Sequence, residues 1–237
     1  MGFRCKQFTI EDDQCAMKVG TDSLMLGSWV EVNGAKHILD IGTGSGLLAI
    51  MLAQKADHIC QIEGIDIDRN AIKQAKVNAS NSPWSQQLHF YQRSLQEYAS
   101  NIKYELIVSN PPYFPENISA NKIDSLTNRQ RARQTLTLDH QSLLQHVVLM
   151  MAEQGQFYCV LPAQSAELFC KYAQQVGLYC VNVLWVLAKP NKTASRVLMA
   201  FSLQQASQKA QQIIIHTHDG NYSADYMALC QDFYLNF

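Results

Sequence analysis

The chain has 237 residues, of which 47% are apolar and only 16% are charged. That length and apolar share suit one large buried core and exclude an intrinsically disordered chain. With 19 basic and 20 acidic side chains the net charge is −1, which excludes a whole-molecule field for a polyanion or membrane and leaves room only for a local basic patch.

The first residues, MGFRCKQFTIEDDQ, lack the apolar core of a signal peptide, and Gly2 is followed by Lys6 where a myristoylation signal wants Ser or Thr. Segments 5–10 and 15–19 flank the polar EDDQ and predict a small hairpin, and Asp22 stands where an N-cap would open a short helix through Trp29. Beyond residue 36, short β-branched runs alternate with helix-like stretches, the pattern of a parallel sheet wrapped by helices. Strands are predicted over 37–40, 62–66, 88–92, 106–109, 156–161, 179–187 and 196–203, and helices over 47–54, 70–78, 139–153 and 163–176. The last two strands are joined without a helix and therefore run antiparallel. No Gly/Ser/Pro-rich linker divides the chain, so the reading is one α/β domain over 1–237, with 1–35 as an extension of a core over 36–237.

The seven cysteines stand at 5, 15, 60, 159, 170, 180 and 230, without a C-x-x-C pair. Neither a zinc knuckle nor a thioredoxin-type site is written there, and scattered thiols suit a reducing compartment. The longest apolar stretch, 176–188, is too short to span a bilayer and is interrupted by Asn182. A cytoplasmic protein with no metal and no membrane association is expected. His216 and His218 bracket Thr217 without a third ligand, and the aromatics Tyr222, Tyr226, Phe233 and Tyr234 read as packing.

The chemistry begins at Asp40-Ile-Gly-Thr-Gly-Ser-Gly46, between an apolar strand and an apolar helix. Glycines at 42, 44 and 46 allow a tight turn and close approach of a ligand, and Asp66, ending the next strand, stands where an acid reaches ribose hydroxyls. Asp68 competes for that role but suits the cap of the following helix better. A nicotinamide-type G-x-G-x-x-G would need glycine where Leu47 stands. Asp40 would repel a diphosphate and attract a cation, which points to S-adenosylmethionine as the cofactor.

Asn110-Pro-Pro-Tyr113 comes after the fourth strand. The prolines remove two amide donors and hold the chain extended, so the Asn110 side-chain oxygen and the Pro111 carbonyl form an acceptor pair for an NH2 group. An adenine amine or a side-chain amide is a poor nucleophile because its lone pair is delocalised. Two acceptors that hold its N–H bonds out of plane turn that lone pair toward a methyl donor, so orientation and electrostatics carry the reaction. Tyr113, beside Pro112, offers a stacking face.

DIGTGSG, GID and NPPY in this order resemble the class I, amino-directed, S-adenosylmethionine-dependent methyltransferases, which implies a Rossmann-like, seven-stranded, mostly parallel sheet with an antiparallel last strand. More narrowly, the chain resembles the bacterial valine-tRNA adenine-37 N6-methyltransferases almost end to end. The likeness is carried by FRCKQFTIEDDQCAMKVGTDSLMLGSW, NSPW at 81–84, SNPPYF at 109–114, RQRARQTLTLDH at 129–140, SRVLMAFS at 195–202 and NYSADYMALCQDFYL at 221–235. The resemblance implies that Gly20, Thr21 and Asp22 help to close the cofactor pocket. It further implies that Asp40, Gly42, Gly44 and Gly46 flank the methionine portion, that Asp66 binds the ribose, that Ser94 and Leu95 line the adenine ring, and that Asn110 also touches the cofactor. Relatives often carry Asp where Ser94 stands, so cofactor affinity is the property this departure touches.

Two basic segments complete the reading. Residues 121–135 hold Lys122, Arg129, Arg131 and Arg133 against Asp124, and residues 189–196 hold Lys189, Lys192 and Arg196 with no acid, so each is locally +3. Both come after strands expected to be parallel and so lie at the sheet's carboxyl edge, where ligands bind. A near-neutral protein with its cations gathered there suits binding of a polyanion at one place, and the resemblance implies that this is the anticodon loop of a tRNA. Glutamine N5-methylation of a release factor, N2-methylation of guanine in rRNA and a catalytically idle RNA-binding or cofactor-sensing domain stand as alternatives at this level.

Overall fold

The computed structural model describes residues 2–15, 17–111 and 140–237. Phe3–Arg4 (β1) and Thr9–Ile10 (β2) form a short antiparallel pair, succeeded by the helix Thr21–Trp29 (α1). Strand and helix then alternate through His37–Ile41 (β3), Leu47–Lys55 (α2), Gln61–Asp66 (β4), Arg69–Ser80 (α3), Leu88–Gln92 (β5) and Tyr104–Ser109 (β6). After the undescribed segment come His140–Met150 (α4), Met151–Pro162 (β7), Ala166–Gln175 (α5), Tyr179–Leu187 (β8), Ala194–Ser202 (β9), Lys209–Ile214 (β10) and Ala224–Cys230 (α6).

Among the described residues eight strands form one sheet in the order β10-β8-β9-β7-β6-β3-β4-β5. Only β9 runs against its neighbours, β7 and β8; every other pairing in this sheet is parallel. The antiparallel strand is thus the one expected from the sequence, and β10 is an addition to the seven predicted. Four of its six residues are exposed polar or small side chains and only Ile213 is buried. An edge strand of that kind has no apolar alternation to read.

The inner strands are apolar at successive positions because both faces of the sheet are covered. Ile38, Val108, Val160, Leu198 and Ala200 face the core shared with α1, α2, α3 and α6. Their neighbours Leu39, Ile107, Leu161, Val197 and Met199 face the core shared with α4 and α5.

Three local expectations are corrected. The N-terminal turn closes earlier than predicted, with the Cys5 amide donating to the Phe8 carbonyl at 2.8 Å. Residues 15 and 17–19 do not continue as its strand because Asp12 organises them locally: its carboxylate accepts from the Val19 amide at 2.9 Å, and its carbonyl accepts from Cys15 at 3.0 Å. The cap of α1 is Gly20 rather than Asp22, which lies in the helix's first turn. The helix predicted over 139–153 ends at Met150, and Met151 already pairs with Tyr104 in the sheet. Gly155 permits this, since a Cβ there would come within 2.8 Å of the Tyr104 carbonyl. Asp139 lies outside the described residues.

Both chain ends meet on the α1 side. Cys5 bridges to Tyr234, the Lys6 amide donates to Phe233 at 3.0 Å, and Cys5 and Phe8 share a core with Cys230 and Phe233. The carbonyls at the end of α1 find their donor in α2: Lys55 Nζ donates to Gly27 at 3.2 Å, to Ser28 at 2.9 Å and to the Val30 carbonyl. A carbonyl left unpaired in such a part-buried place costs about 1–3 kcal/mol. Lys55→Met should therefore lower the unfolding free energy by about 2–4 kcal/mol in urea titrations. An unchanged midpoint would show that water replaces the ammonium.

Candidate active site

The carboxyl ends of β3, β4 and β6 lie side by side. The chain leaving β3 hooks over β4, with the amides of Gly42 and Thr43 both donating to the Ile65 carbonyl, at 2.9 and 3.0 Å. Gly42, Gly44 and Gly46 have φ of +71°, +54° and +82°, a region where an L side chain is strained. Gly46, the cap of α2, has a second reason to be glycine: a Cβ there would stand 3.1 Å from the Phe90 ring and 3.2 Å from Ala75. Around Gly42 and Gly44 a Cβ would meet nothing within 4 Å, so the loop presents open backbone at the edge.

Two carboxylates flank this loop. Asp40 is fully buried; its Oδ2 accepts from the Thr43 hydroxyl at 2.6 Å, while Oδ1 is buried with no hydrogen-bond partner. Burial pushes its pKa up to about 7 against the pull of that hydroxyl and of the Ala49 backbone amide. Asp66 accepts from the Gly44 amide at 3.0 Å and from the Asp68 amide at 2.9 Å, and burial raises its pKa as well. Asp68 is separated from it in role, since its side chain caps α3 by accepting from the Asn70 amide at 2.8 Å. A buried carboxylate with an open oxygen beside bare backbone is a place for a cationic group, which fits the ammonium and sulfonium of S-adenosylmethionine.

Asn110 enters the same edge at the end of β6. The Ser109 hydroxyl donates to the Ile41 carbonyl at 2.9 Å and ties β6 to β3 immediately before it. The Asn110 carboxamide donates through Nδ2 to the Ser23 hydroxyl oxygen at 2.8 Å, which turns its own oxygen, Oδ1, to the other side of the planar group. Pro111 is buried. Asp40, the three glycines, Asp66 and Asn110 are therefore brought to one edge. Ser23 was not singled out in the sequence; it sits inside the GTDS segment, but its partner is 87 residues away and only folding joins them.

The other candidates are spread more widely. Gly20 and Thr21 are exposed at the start of α1. Asp22 Oδ2 accepts from Arg196 Nε at 2.8 Å, so the basic segment over 189–196 has an acid against it that counting along the chain had missed. Lys189 and Lys192 are exposed on the turn after β8, at the same carboxyl edge. The Ser94 hydroxyl donates to Glu97 at 2.9 Å, and the Leu95 side chain is buried in the core with Leu39 and Ile65, so only its backbone can face a ligand there. Pro112, Tyr113, Lys122, Arg129, Arg131 and Arg133 lie outside the described residues. Among the described residues no group of three or more His, Cys, Asp or Glu is placed to hold a metal, and no helix is long and apolar enough to cross a membrane.

Comparison with known proteins matches residues 14–158 to the methyltransferase small domain family. A tRNA1(Val) (adenine(37)-N6)-methyltransferase of Pseudoalteromonas atlantica is 45% identical, covering 100% of this chain and 98% of that protein. Proteins of the same name from Pasteurella multocida and Proteus mirabilis are 40% and 39% identical, covering 100% and 99% of this chain and 98% and 94% of theirs. Among solved structures, a predicted O-methyltransferase of Agrobacterium tumefaciens superposes with a TM-score of 0.66 at 15% identity over 90% of this chain and 96% of its own. A ribosomal protein L11 methylase of Lactobacillus delbrueckii subsp. bulgaricus does so with a TM-score of 0.53 at 18% identity over 77% of each chain. These two share the fold.

The geometry predicts two outcomes. Ser23→Ala should leave S-adenosylmethionine affinity near that of the unaltered protein and lower the saturated turnover rate about tenfold, the worth of one orienting hydrogen bond, with Ser23→Thr recovering it. Equal turnover in both variants would remove Ser23 from the site's working parts. For Asp40 the ionised form attracts the cation, so cofactor affinity should weaken as pH falls through about 7. The unliganded protein should show the opposite trend: with the folded pKa above the unfolded one, stability is lost as pH rises from the ordinary carboxylate range through about 7. Calorimetric titration between pH 6 and 8 reads the first effect, and Asp40→Asn should bind weakly and without that slope.

Proposed function

Because the chain belongs to the tRNA1(Val) (adenine(37)-N6)-methyltransferase family, we infer that it transfers a methyl group from S-adenosylmethionine to the exocyclic N6 of adenosine 37 in the anticodon loop of a valine tRNA. The observation that carries this reading is the meeting of Asp40, Asp66 and Asn110 at three adjacent strand ends, with the Asn110 amide nitrogen turned onto Ser23.

Bound S-adenosylmethionine supplies an electrophilic methyl group on a sulfonium centre. Asp40 and the backbone of the glycine loop hold its cationic portion, and Asp66 takes the ribose hydroxyls. An oxygen with two lone pairs has room for them beside the amides of Gly44 and Asp68. Asn110 Oδ1 and the Pro111 carbonyl accept the two N–H bonds of the adenine amine, which draws the nitrogen out of conjugation and aims its lone pair. No strong base is required, because the methylated nitrogen is acidic and releases a proton afterwards. The chain's part in the reaction is thus orientation and fixed dipoles.

Tyr113 supplies the stacking face for the target base. Lys189 and Lys192, together with Lys122, Arg129, Arg131 and Arg133, supply phosphate contacts. Arg196 is held by Asp22 and acts as part of the wall beside the site. An enzyme of this kind works in the cytoplasm, where its tRNA is found.

The test uses purified protein, labelled S-adenosylmethionine and total tRNA lacking the modification, with nucleoside analysis of the product. Labelled N6-methyladenosine is expected, and Asn110→Ala should abolish it while cofactor binding stays nearly intact. Label in a release factor or in rRNA, with none in tRNA, would keep the chemistry and overturn the substrate.

A further inference from the structure

The inner face of α3 is apolar at Ala71, Ile72, Ala75 and Ala79, yet it also carries Gln74 and Asn78, one helical turn apart and 6% and 1% exposed. Asparagine is a weak helix former, and a buried carboxamide is costly unless it is bonded. Asn78 is bonded at every position it offers. Its Nδ2 donates to the Glu11 carbonyl and to the Ser45 carbonyl, each at 2.8 Å. Its Oδ1 accepts from the Glu11 amide at 3.0 Å and from Gln74 Nε2 at 3.5 Å.

The segments joined in this way lead to the two halves of the site. Ser45 lies inside the glycine loop, between Gly44, whose amide is on Asp66, and Gly46, the cap of α2. Glu11 receives from Asn78 the pair of bonds, to its amide and to its carbonyl, that a neighbouring strand would give, so the chain after β2 is fixed there. Asp12 passes that position on: its carboxylate accepts from the Val19 amide at 2.9 Å, and its carbonyl accepts from Lys18 Nζ at 2.8 Å. Val19 adjoins Gly20, the cap of α1, and Ser23 in the first turn accepts from the Asn110 amide. Strand pairing sets the glycine loop against the main chain at Asn110, but α1 belongs to no strand. Asp22 ties its first turn to β9; Asn78 ties it, through Glu11 and Asp12, to the glycine loop.

We propose that Asn78 is a positioning residue for methyl transfer, holding the loop that carries the methyl donor in register with the helix that orients the Asn110 carboxamide. The proposal rests on the function proposed above and deepens it. Donor and acceptor are presented by separate elements, and a misplacement of about 1 Å between reacting groups can cost about a hundredfold in rate. A carboxamide suits the task because its two donors and two acceptor sites lie in one plane with fixed directions. An apolar side chain would fill the same place on α3 and leave the Glu11 and Ser45 carbonyls unheld.

The experiment compares the full-length protein with Asn78→Ser, too short to bridge Glu11 and Ser45, and with Asp12→Ala, which cuts the path beyond Asn78 and leaves the loop's bond in place. Calorimetry reads S-adenosylmethionine affinity, and saturated turnover is measured on tRNA lacking the modification. Asn78→Ser should weaken affinity about tenfold and lower turnover about tenfold, whereas Asp12→Ala should lower turnover to a similar extent with affinity unchanged. In a Ser23→Ala background neither variant should lower turnover further, because the path to Asn110 is already cut, while the affinity loss of Asn78→Ser should persist. Turnover losses that add to that of Ser23→Ala would show a general loosening of the fold and overturn the proposal, as would unchanged affinity in Asn78→Ser. If Asn78→Ser fails to fold, Asp12→Ala decides: unchanged turnover, or a loss additive with Ser23→Ala, overturns the proposal. Absence of transfer to tRNA by the unaltered protein would overturn the substrate reading alone, and the affinity of Asn78→Ser would then decide the proposal.

Discussion

A helix that stops inside a protein leaves its last carbonyls without partners, and in α1 a single ammonium answers them. Lys55, from the end of α2, donates to Gly27, Ser28 and Val30 and so joins the end of one helix to the end of another. The opposite end of α1 depends on that joint. Its first turn carries Asp22, paired with Arg196 of β9, and Ser23, bonded to Asn110 after β6. A short helix held at both ends can orient a carboxamide; the same nine residues held at one end would fray within their first turn. The N-terminal segment is therefore part of the carboxyl edge that holds Asn110 as well as a cover for the core.

The second constraint is electrostatic. A carboxylate buried as deeply as Asp40, with one oxygen unpartnered, is costly to keep ionised, and its raised pKa expresses that cost. A cation bound beside it, as the proposed function requires, would reverse the balance by favouring the ionised form. In the proposed function such an arrangement would discriminate by charge type, favouring an ammonium and a sulfonium over a diphosphate, although glycine loops of both kinds look alike in a list of motifs. Asp66, in contrast, already accepts two amides and is positioned by them.

Reading charge along the chain succeeded and failed for one reason. Lys189 and Lys192 stand exposed at the expected edge because the strand before them is parallel to β7, which the alternation of elements implied. Arg196, counted with them, faces an aspartate 174 residues earlier. Similarly, the resemblance places Ser94 and Leu95 against a ligand's ring, and the Leu95 side chain turns inward to the core beside Leu39 and Ile65, which leaves its backbone for that contact. A loop position specifies where the backbone goes; which side of it is filled by apolar neighbours is decided by the layers above and below.

The amino-acid sequence by itself determined the α/β class, the strand and helix order of the central sheet, the glycine turn with Asp40 and Asp66, and the Asn110-Pro111 exit from its strand. These are legible because each rests on local physics: residue-by-residue apolar runs in doubly covered strands, positive φ that calls for glycine, and prolines that remove amides. Tertiary structure decided the rest. The polar edge strand β10 exists because β8 offers a free edge, the hydroxyl that turns Asn110 comes from a helix far away in the chain, and Arg196 meets an aspartate 174 residues earlier. Such features have no local signature, since each is a pairing between groups whose separation in sequence says nothing of their distance in space.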